Sequence, residues 1–450
     1  AYFDLFYRDN PDGGGYAVVA GLEQIVDYIR NLHFTEEDIA FLRGKGCFDE
    51  PFLDYLRSFR FTGDMWAVPE GTFVFPGEPL ITVRAPAIQA QFIETYLLMI
   101  VNHESLIATK AARITRAAKG RAVSEFGSRR AQGADAAILG ARAAFIGGCS
   151  STACTLSDEV FGVPAGGTMA HSWVQMFDSE LDAFRTYCEI YPHNATLLID
   201  TYNVLDSGLP HAIAAFDEVL RPRGITSCAI RIDSGDITYL TQKIRARLDE
   251  AGWQTCKIVV SNSMDEYIIR ELIRQGACID AFGVGERLIT AKSEPVFGGV
   301  YKLCAVEAPD GTIIPKIKIS ENVSKITTPH FKKVYRLRGR DTGKAEADLI
   351  CLHDETVDDS QPLEIFDPQN TWKRKVLTDF TAEELLVPVF RGGELVYSLP
   401  TLPEIRAHFE AECDGMWEEV RRFTNPHNYY VDLSQKLWDI KQAMLNSRTH

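Results

Sequence analysis

A chain of 450 residues with 46% hydrophobic and 24% charged side chains has the composition of a globular protein with a large core, and its length allows about three domains. The formal net charge of −15 excludes a generally basic surface for nucleic acid or anionic membrane, so a phosphate would have to be met by a local cluster of Arg, Lys and backbone N–H groups. No apolar run approaches the ~20 residues of a membrane span, and the start lacks a basic-then-apolar secretion signal; a cytoplasmic location is expected, with no nucleic acid and no membrane among the partners.

In chain order, Tyr2 to Tyr7 alternates as a strand does. Leu22, Ile25, Val26 and Ile29 make one apolar helix face. Thr35 followed by Asp38 marks a helix start, with Phe34 as its hydrophobic staple. Gly71 to Val83 reads as two short strands around the turn Phe75-Pro76-Gly77-Glu78. Ile88 to Ala118 is long, apolar and helical. Between residues 120 and 305 short β-like runs end in small or polar residues and each leads into a helical segment. Later units recur about every 20–35 residues, the length of a βα unit. These are a parallel barrel or an open sheet, and in both the functional groups gather at the carboxyl ends of the strands. Ile313 to Ile319 and Phe331 to Leu337 return to strand, an acidic connector follows around Asp354 to Asp359, and helices begin near Leu402 and Leu433. The ten cysteines are scattered and form no CxxC, which points to buried, reduced thiols rather than a zinc knuckle.

Five strand ends carry chemistry. Phe126-Gly127-Ser128-Arg129-Arg130 sets a flat ring beside two guanidinium groups, which suits a planar anion, although two solvated arginines at a helix start would look the same. Gly166-Gly167-Thr168-Met169-Ala170-His171-Ser172 offers close backbone approach and hydroxyls around a histidine able to act as base, ligand or phosphoryl acceptor; alone, it reads equally as a core histidine by a tight turn. Asp200-Thr201-Tyr202-Asn203 and Arg231-Ile232-Asp233-Ser234-Gly235-Asp236 place carboxylates where ribose hydroxyls or Mg²⁺ could be held, and strand alternation puts Arg231 and Asp233 on one face. Ser261-Asn262-Ser263 and Gly283-Val284-Gly285 could present N–H groups to a phosphate, with Lys302 as a further cation. Together they describe a phosphorylated sugar joined to a planar ring.

In order and spacing, Phe126 to Gly133, Gly167 to Trp173, Asp200 to Asn203, Ile230 to Asp236, Ser261-Asn262 and Gly298 to Leu303, with the tail Asn425-Pro426-His427-Asn428-Tyr429-Tyr430, resemble the nicotinate phosphoribosyltransferase family over nearly the whole chain. The resemblance implies an α/β fold in which an irregular α/β barrel (119–305) packs against an α+β domain built from the N- and C-terminal segments (1–118 and 306–450, the latter ending in a helical tail). It implies a homodimer with shared sites, nicotinate, phosphoribosyl pyrophosphate and ATP as ligands, and Mg²⁺ held through Asp233 or the phosphates. It implies that His171 carries the phosphohistidine coupling ATP hydrolysis to the reaction, with Asp233 the second catalytic group. Phe126, Arg129, Thr168 and Arg231 match the nicotinate contacts, and Asp200, Asn203, Ser261, Asn262, Gly283, Gly285 and Glu286 the ribose and phosphate contacts. A Tyr-bearing segment expected upstream of the first strand is not in this sequence. Glu286 stands where many relatives carry a phosphate-binding Thr, and would have to turn away or pair with Arg287. Ser263 replaces an acidic or amide residue, and His330 stands where Gly is frequent. Competing expectations are a nicotinamide-type enzyme, disfavoured because Cys149-Ser150-Ser151 lacks an acidic residue, and a non-catalytic nucleotide sensor.

Overall fold

The computed structural model describes residues 1–447, in two compact units: residues 1–106 with 296–447, and residues 107–295.

In the first unit, a seven-stranded antiparallel sheet runs in the order Ile313–Pro315, Val300–Glu307, Tyr2–Phe6, Ile81–Arg84, Asp64–Ala67, Val387–Arg391, Glu394–Leu395. A second sheet orders Phe380–Glu384, Lys332–Gly339, Ala345–Leu352 and Val431–Leu433, the last pair parallel. Helix Leu22–Asn31 buries Leu22, Ile25, Val26 and Ile29 as its periodicity requires. Helix Glu36–Gly44 opens on a reciprocal cap: the Asp38 N–H donates to Thr35 Oγ1 at 3.2 Å and the Thr35 N–H to Asp38 Oδ2 at 2.8 Å. Phe34 packs on the cluster of Ile39, Leu53, Leu56 and Phe59. The expected strands of Gly71 to Val83 form as Phe73–Val74 and Ile81–Arg84, but they do not pair with each other. The first joins Ala17–Val18, the second Tyr2–Phe6 and Asp64–Ala67.

The second unit holds a six-stranded, all-parallel sheet in the order Ser151–Thr152, Ala122–Glu125, Ala281–Val284, Lys257–Asn262, Ala229–Ile232, Thr196–Leu198. Val123, Leu197, Ile230, Ile232, Ile258, Val260, Phe282 and Val284 are all at most 1% exposed. A parallel sheet covered on both faces reads as short continuous apolar runs for this reason. The expected barrel is corrected here: no closed barrel forms among the described residues. The edge strands are only two and three residues long and the outer one gains only a single bridge, Thr152 to Ala165, too little ladder to close a cylinder. The helices that follow two of the central strands, Ile237–Glu250 and Glu266–Arg274, are each started by a polar cap: Asp236 accepts from Tyr239 N–H at 3.0 Å, and Asp265 from Tyr267 and Ile268 N–H at 3.1 and 3.0 Å.

The apolar stretch after Ile88 is broken once. Ala87–Phe92 is one helix and Glu94–Ala117 the next. Near its C-terminal end, within the second unit, Lys110 and Arg113 meet Glu266 at 2.9 and 2.8 Å, with all three side chains at most 3% exposed. Among the described residues no helix is long and apolar enough to cross a membrane. All ten cysteines are free thiols.

Candidate active site

The sheet register aligns the site. Ser124, Gly283 and Ser261 are paired across three neighbouring strands, and Val260 pairs with Ile232, which brings Asp233 level with Ser261. All these residues sit at the carboxyl ends of parallel strands, where the chain must leave the sheet and side chains escape the core. Phe126, Arg129, Arg231, Asp233, Ser261, Asn262, Gly283, Gly285 and Glu286 thus line one cavity of about 240 Å³, with Arg130 and Ser263.

The edge of the Phe126 ring abuts Gly283. A Cβ at 283 would fall 2.6 Å from the Phe126 ring, so only glycine leaves room for it. The Arg231 guanidinium stands 5.6 Å from the same ring centroid. Its Nη1 donates to Thr168 Oγ1 at 2.8 Å and its Nε to Ser261 Oγ at 2.7 Å. Ser261 Oγ in turn donates to Asp233 Oδ1 at 2.6 Å, and Asp233 lies 3.6 Å from Arg231 Nη2. Arg231, its side chain only 17% exposed, is therefore aimed by three neighbours rather than left to wander.

Thr168 and Asp200 are tied to this cavity through hydrogen bonds, and His171 stands beyond Asp200. Asp200 Oδ2 accepts from the Asp233 N–H at 2.8 Å and from Ser234 Oγ at 2.7 Å. Asp200 Oδ1 is buried without a hydrogen-bond partner and lies 3.9 Å from His171 Nε2. His171 begins the short helix His171–Gln175, keeps 42% of its side chain exposed, and has Nδ1 3.2 Å from Thr201 Oγ1. An exposed imidazole with one ring nitrogen anchored and the other beside a carboxylate suits a phosphoryl acceptor or a general base.

Asn203 is not brought in. Its side-chain oxygen accepts from the Leu205 and Asp206 N–H groups at 3.1 and 2.9 Å and starts the turn Val204–Gly208, the local role that Asn takes whenever a helix start is within reach. Lys302 belongs to the other unit, where its ammonium donates to the Tyr301 carbonyl at 2.9 Å. Glu286 has a different partner from the one expected. Arg287 pairs with Asp265, while Glu286 accepts from Lys292 Nζ at 2.5 Å and lies 3.9 Å from Arg130 Nε. The Lys292 hydrogen bond holds the Glu286 carboxyl below the usual range.

Arg130 is the second guanidinium of the Phe126 to Arg130 motif. Thr201 and Ser234 stand inside the Asp200 and Arg231 motifs, so their signal is available in the sequence, although no role is read for either there. Glu125 gives no such signal. It is fully buried at the end of its strand, accepts from Thr152 Oγ1 at 2.7 Å and from the Gly127 N–H, and so fixes the turn that presents Phe126; burial raises its pKa. Among the described residues no three His, Cys, Asp or Glu side chains are grouped for a metal. Asp233 with substrate phosphate oxygens is the hard-oxygen set that Mg²⁺ prefers.

Residues 1–102 match the nicotinate phosphoribosyltransferase (NAPRTase) N-terminal domain and residues 331–441 the nicotinate phosphoribosyltransferase C-terminal domain. A nicotinate phosphoribosyltransferase of Bacillus subtilis (strain 168) is 43% identical over 446 residues, covering 99% of this chain and 90% of the relative. That of Homo sapiens is 32% identical over 99% of this chain and 92% of its own. A crystal structure of human nicotinic acid phosphoribosyltransferase superposes with a TM-score of 0.86 at 29% identity, over 100% of this chain and 95% of that one. The chain belongs to the nicotinate phosphoribosyltransferase family.

Proposed function

We propose that the protein joins nicotinate to phosphoribosyl pyrophosphate, giving nicotinate mononucleotide and pyrophosphate in NAD biosynthesis, with ATP hydrolysis coupled through His171. The observation that carries the reading is Arg231, an anchored guanidinium beside the Phe126 ring in a cavity that ends in backbone and hydroxyl groups. A carboxylate-bearing planar ring satisfies both groups at once, and a charged guanidinium favours a carboxylate over a neutral amide.

In this reading Phe126 stacks on the pyridine, while Arg231, Thr168 and Arg129 hold its carboxylate. Ser261, Asn262 and the backbone at Gly283 and Gly285 receive the ribose phosphate. The bond from the sugar's anomeric carbon to pyrophosphate breaks as the pyridine nitrogen bonds to that carbon, and the Asp233 carboxylate faces the positive charge that builds on the ribose. Mg²⁺ on the phosphates, with Asp233 as its protein ligand, would offset the charge gathering on the departing pyrophosphate. His171 takes the γ-phosphoryl group of ATP, ADP leaves, and water later releases the group as phosphate. Asp200, bonded to the Asp233 N–H and near His171, links the two events. A homodimer, which rests on the family resemblance, and a cytoplasmic location, which rests on the sequence pattern, belong to the same proposal; light scattering during gel filtration tests the first.

The deciding experiment incubates the protein with phosphoribosyl pyrophosphate, Mg²⁺ and either nicotinate or nicotinamide, with and without ATP, and measures mononucleotide by mass spectrometry. Nicotinate mononucleotide, increased by ATP in the native chain and indifferent to ATP in His171→Ala, is the expected result. Absence of product from either ring sinks the activity, and ATP stimulation that survives His171→Ala sinks the coupling.

A further inference from the structure

The first unit holds a second cavity, of about 290 Å³, on its seven-stranded sheet, and its lining has no part in the chemistry above. Its walls are aromatic. Phe331 stacks on His353 at 3.8 Å, Trp66 meets Phe331 at 5.0 Å and His353 at 5.5 Å, and Tyr2 meets Phe331 at 4.9 Å. Two arginines reach it, and they differ. Arg84 is neutralised by a bidentate bond to Glu307 at 2.8 Å and by Asp64 at 3.1 Å. Arg391 lies over Trp66 at 4.3 Å; Asp354 lines the same cavity, but among the described residues no ion pair joins a carboxylate to the Arg391 guanidinium. A cation on an aromatic floor without an ion-pair partner is an incomplete arrangement.

The cavity's rim carries a strained residue. His330 has φ +80°, a backbone conformation that suits glycine and costs other residues about 1–3 kcal/mol. It is pinned there by its N–H, which donates to the Cys304 carbonyl at 2.8 Å, and by its carbonyl, which accepts from the buried Lys332 ammonium at 2.7 Å. Its Nδ1 lies 3.3 Å from the Phe331 carbonyl, and Nε2 is the atom left to meet a ligand. Glycine would cost nothing at this point, so an imidazole kept there against strain is a sign of use.

We infer that this cavity is a second binding site for a single-ring aromatic carboxylate, whose ring lies on the Trp66–Phe331–His353 surface and whose carboxylate pairs with Arg391 beside His330. At about 290 Å³ it has room for one ring with its substituent. The ligand class is that of the substrate proposed above, so the inference leans on that reading for its probe, while its residues are all separate from Arg231.

Calorimetric titration of the full chain with nicotinate, without phosphoribosyl pyrophosphate, tests both at once. The native chain is expected to take two equivalents. Arg391→Ala and His330→Gly should each weaken one of them at least tenfold and leave the other, while Arg231→Gln should remove the other one. His330→Gly should also unfold at a temperature no lower than the native chain, which separates a lost ligand contact from a damaged fold. Benzoate, lacking the ring nitrogen, should still bind at the Arg391 site. Wild-type stoichiometry and affinity in both Arg391→Ala and His330→Gly overturns the second site, as does a native chain whose only nicotinate site vanishes in Arg231→Gln or one that binds no nicotinate. If Arg231→Gln leaves both equivalents intact, it is the nicotinate pocket reading that fails.

Discussion

Arg231→Gln offers the sharpest test of how the proposed pocket tells one ring from another. The native guanidinium is mostly buried and already held by Thr168, Ser261 and Asp233, so its orientation towards a ligand is fixed before binding. A hydrogen bond to a charged partner contributes about 1.5–3 kcal/mol and a neutral one about 0.5–1.5 kcal/mol. Glutamine keeps polar atoms near Thr168 but loses the charge. With each 1.4 kcal/mol worth a factor of ten, kcat/KM for nicotinate should fall by roughly 10- to 150-fold, and that for nicotinamide by no more than about tenfold. The selectivity ratio should therefore shrink by about an order of magnitude. The assay is initial-rate formation of each mononucleotide at saturating phosphoribosyl pyrophosphate. Equal losses for both rings would refute the reasoning, because they would mean that Arg231 acts by supporting Ser261 and Asp233 and not by reading a carboxylate.

Other consequences concern charge and stability. Glu286→Thr removes a carboxylate from the phosphate end of the cavity and releases Lys292 and Arg130, so KM for phosphoribosyl pyrophosphate should fall several-fold; a rise would show that Glu286 itself supports the bound phosphate. Asp432 is 3% exposed, and burial, with Asp367 nearby, pushes its pKa up to about 6. The folded chain then binds this proton more tightly than the unfolded chain does, so the group's favourable contribution is present below about pH 4 and is lost as pH rises through 6. Asp432→Asn should be more stable than the native chain at pH 7, by at most about 3 kcal/mol, and match it near pH 4; urea unfolding at the two pH values would show this, and an equal gap at both would defeat it. Glu266→Ala takes the buried carboxylate away from Lys110 and Arg113 and should cost about 3–5 kcal/mol in the same assay, whereas a loss under about 1 kcal/mol would mean that their other contacts or water make up for it.

What the sequence made legible was local. The periodicity of Leu22, Ile25, Val26 and Ile29, the reciprocal cap at Thr35 and the polar strand ends at Asp233 and Ser261 all depend on residues a few positions apart, and all took the form expected. Pairing is not local. Nothing in Phe73 or Ile81 says that their strands turn to different partners, and nothing in the short runs at Ser151 and Thr196 says that the sheet stays open there. Side-chain partners failed for the same reason. Arg287 was adjacent to Glu286 along the chain, but the first turn of a short helix points neighbours apart, so Arg287 went to Asp265 and Lys292 came back to Glu286. At Asn203, which the family resemblance gives as a ligand contact, the backbone two and three residues on takes the side-chain oxygen.

The bare Cα at Gly283 against the edge of the Phe126 ring has a bearing on inheritance. A lineage that enlarges residue 283 collides with the ring, and one that trims Phe126 leaves an open slot above a glycine. Neither change is tolerable by itself, so the two positions should pass between descendants as a linked pair, altered together or not at all.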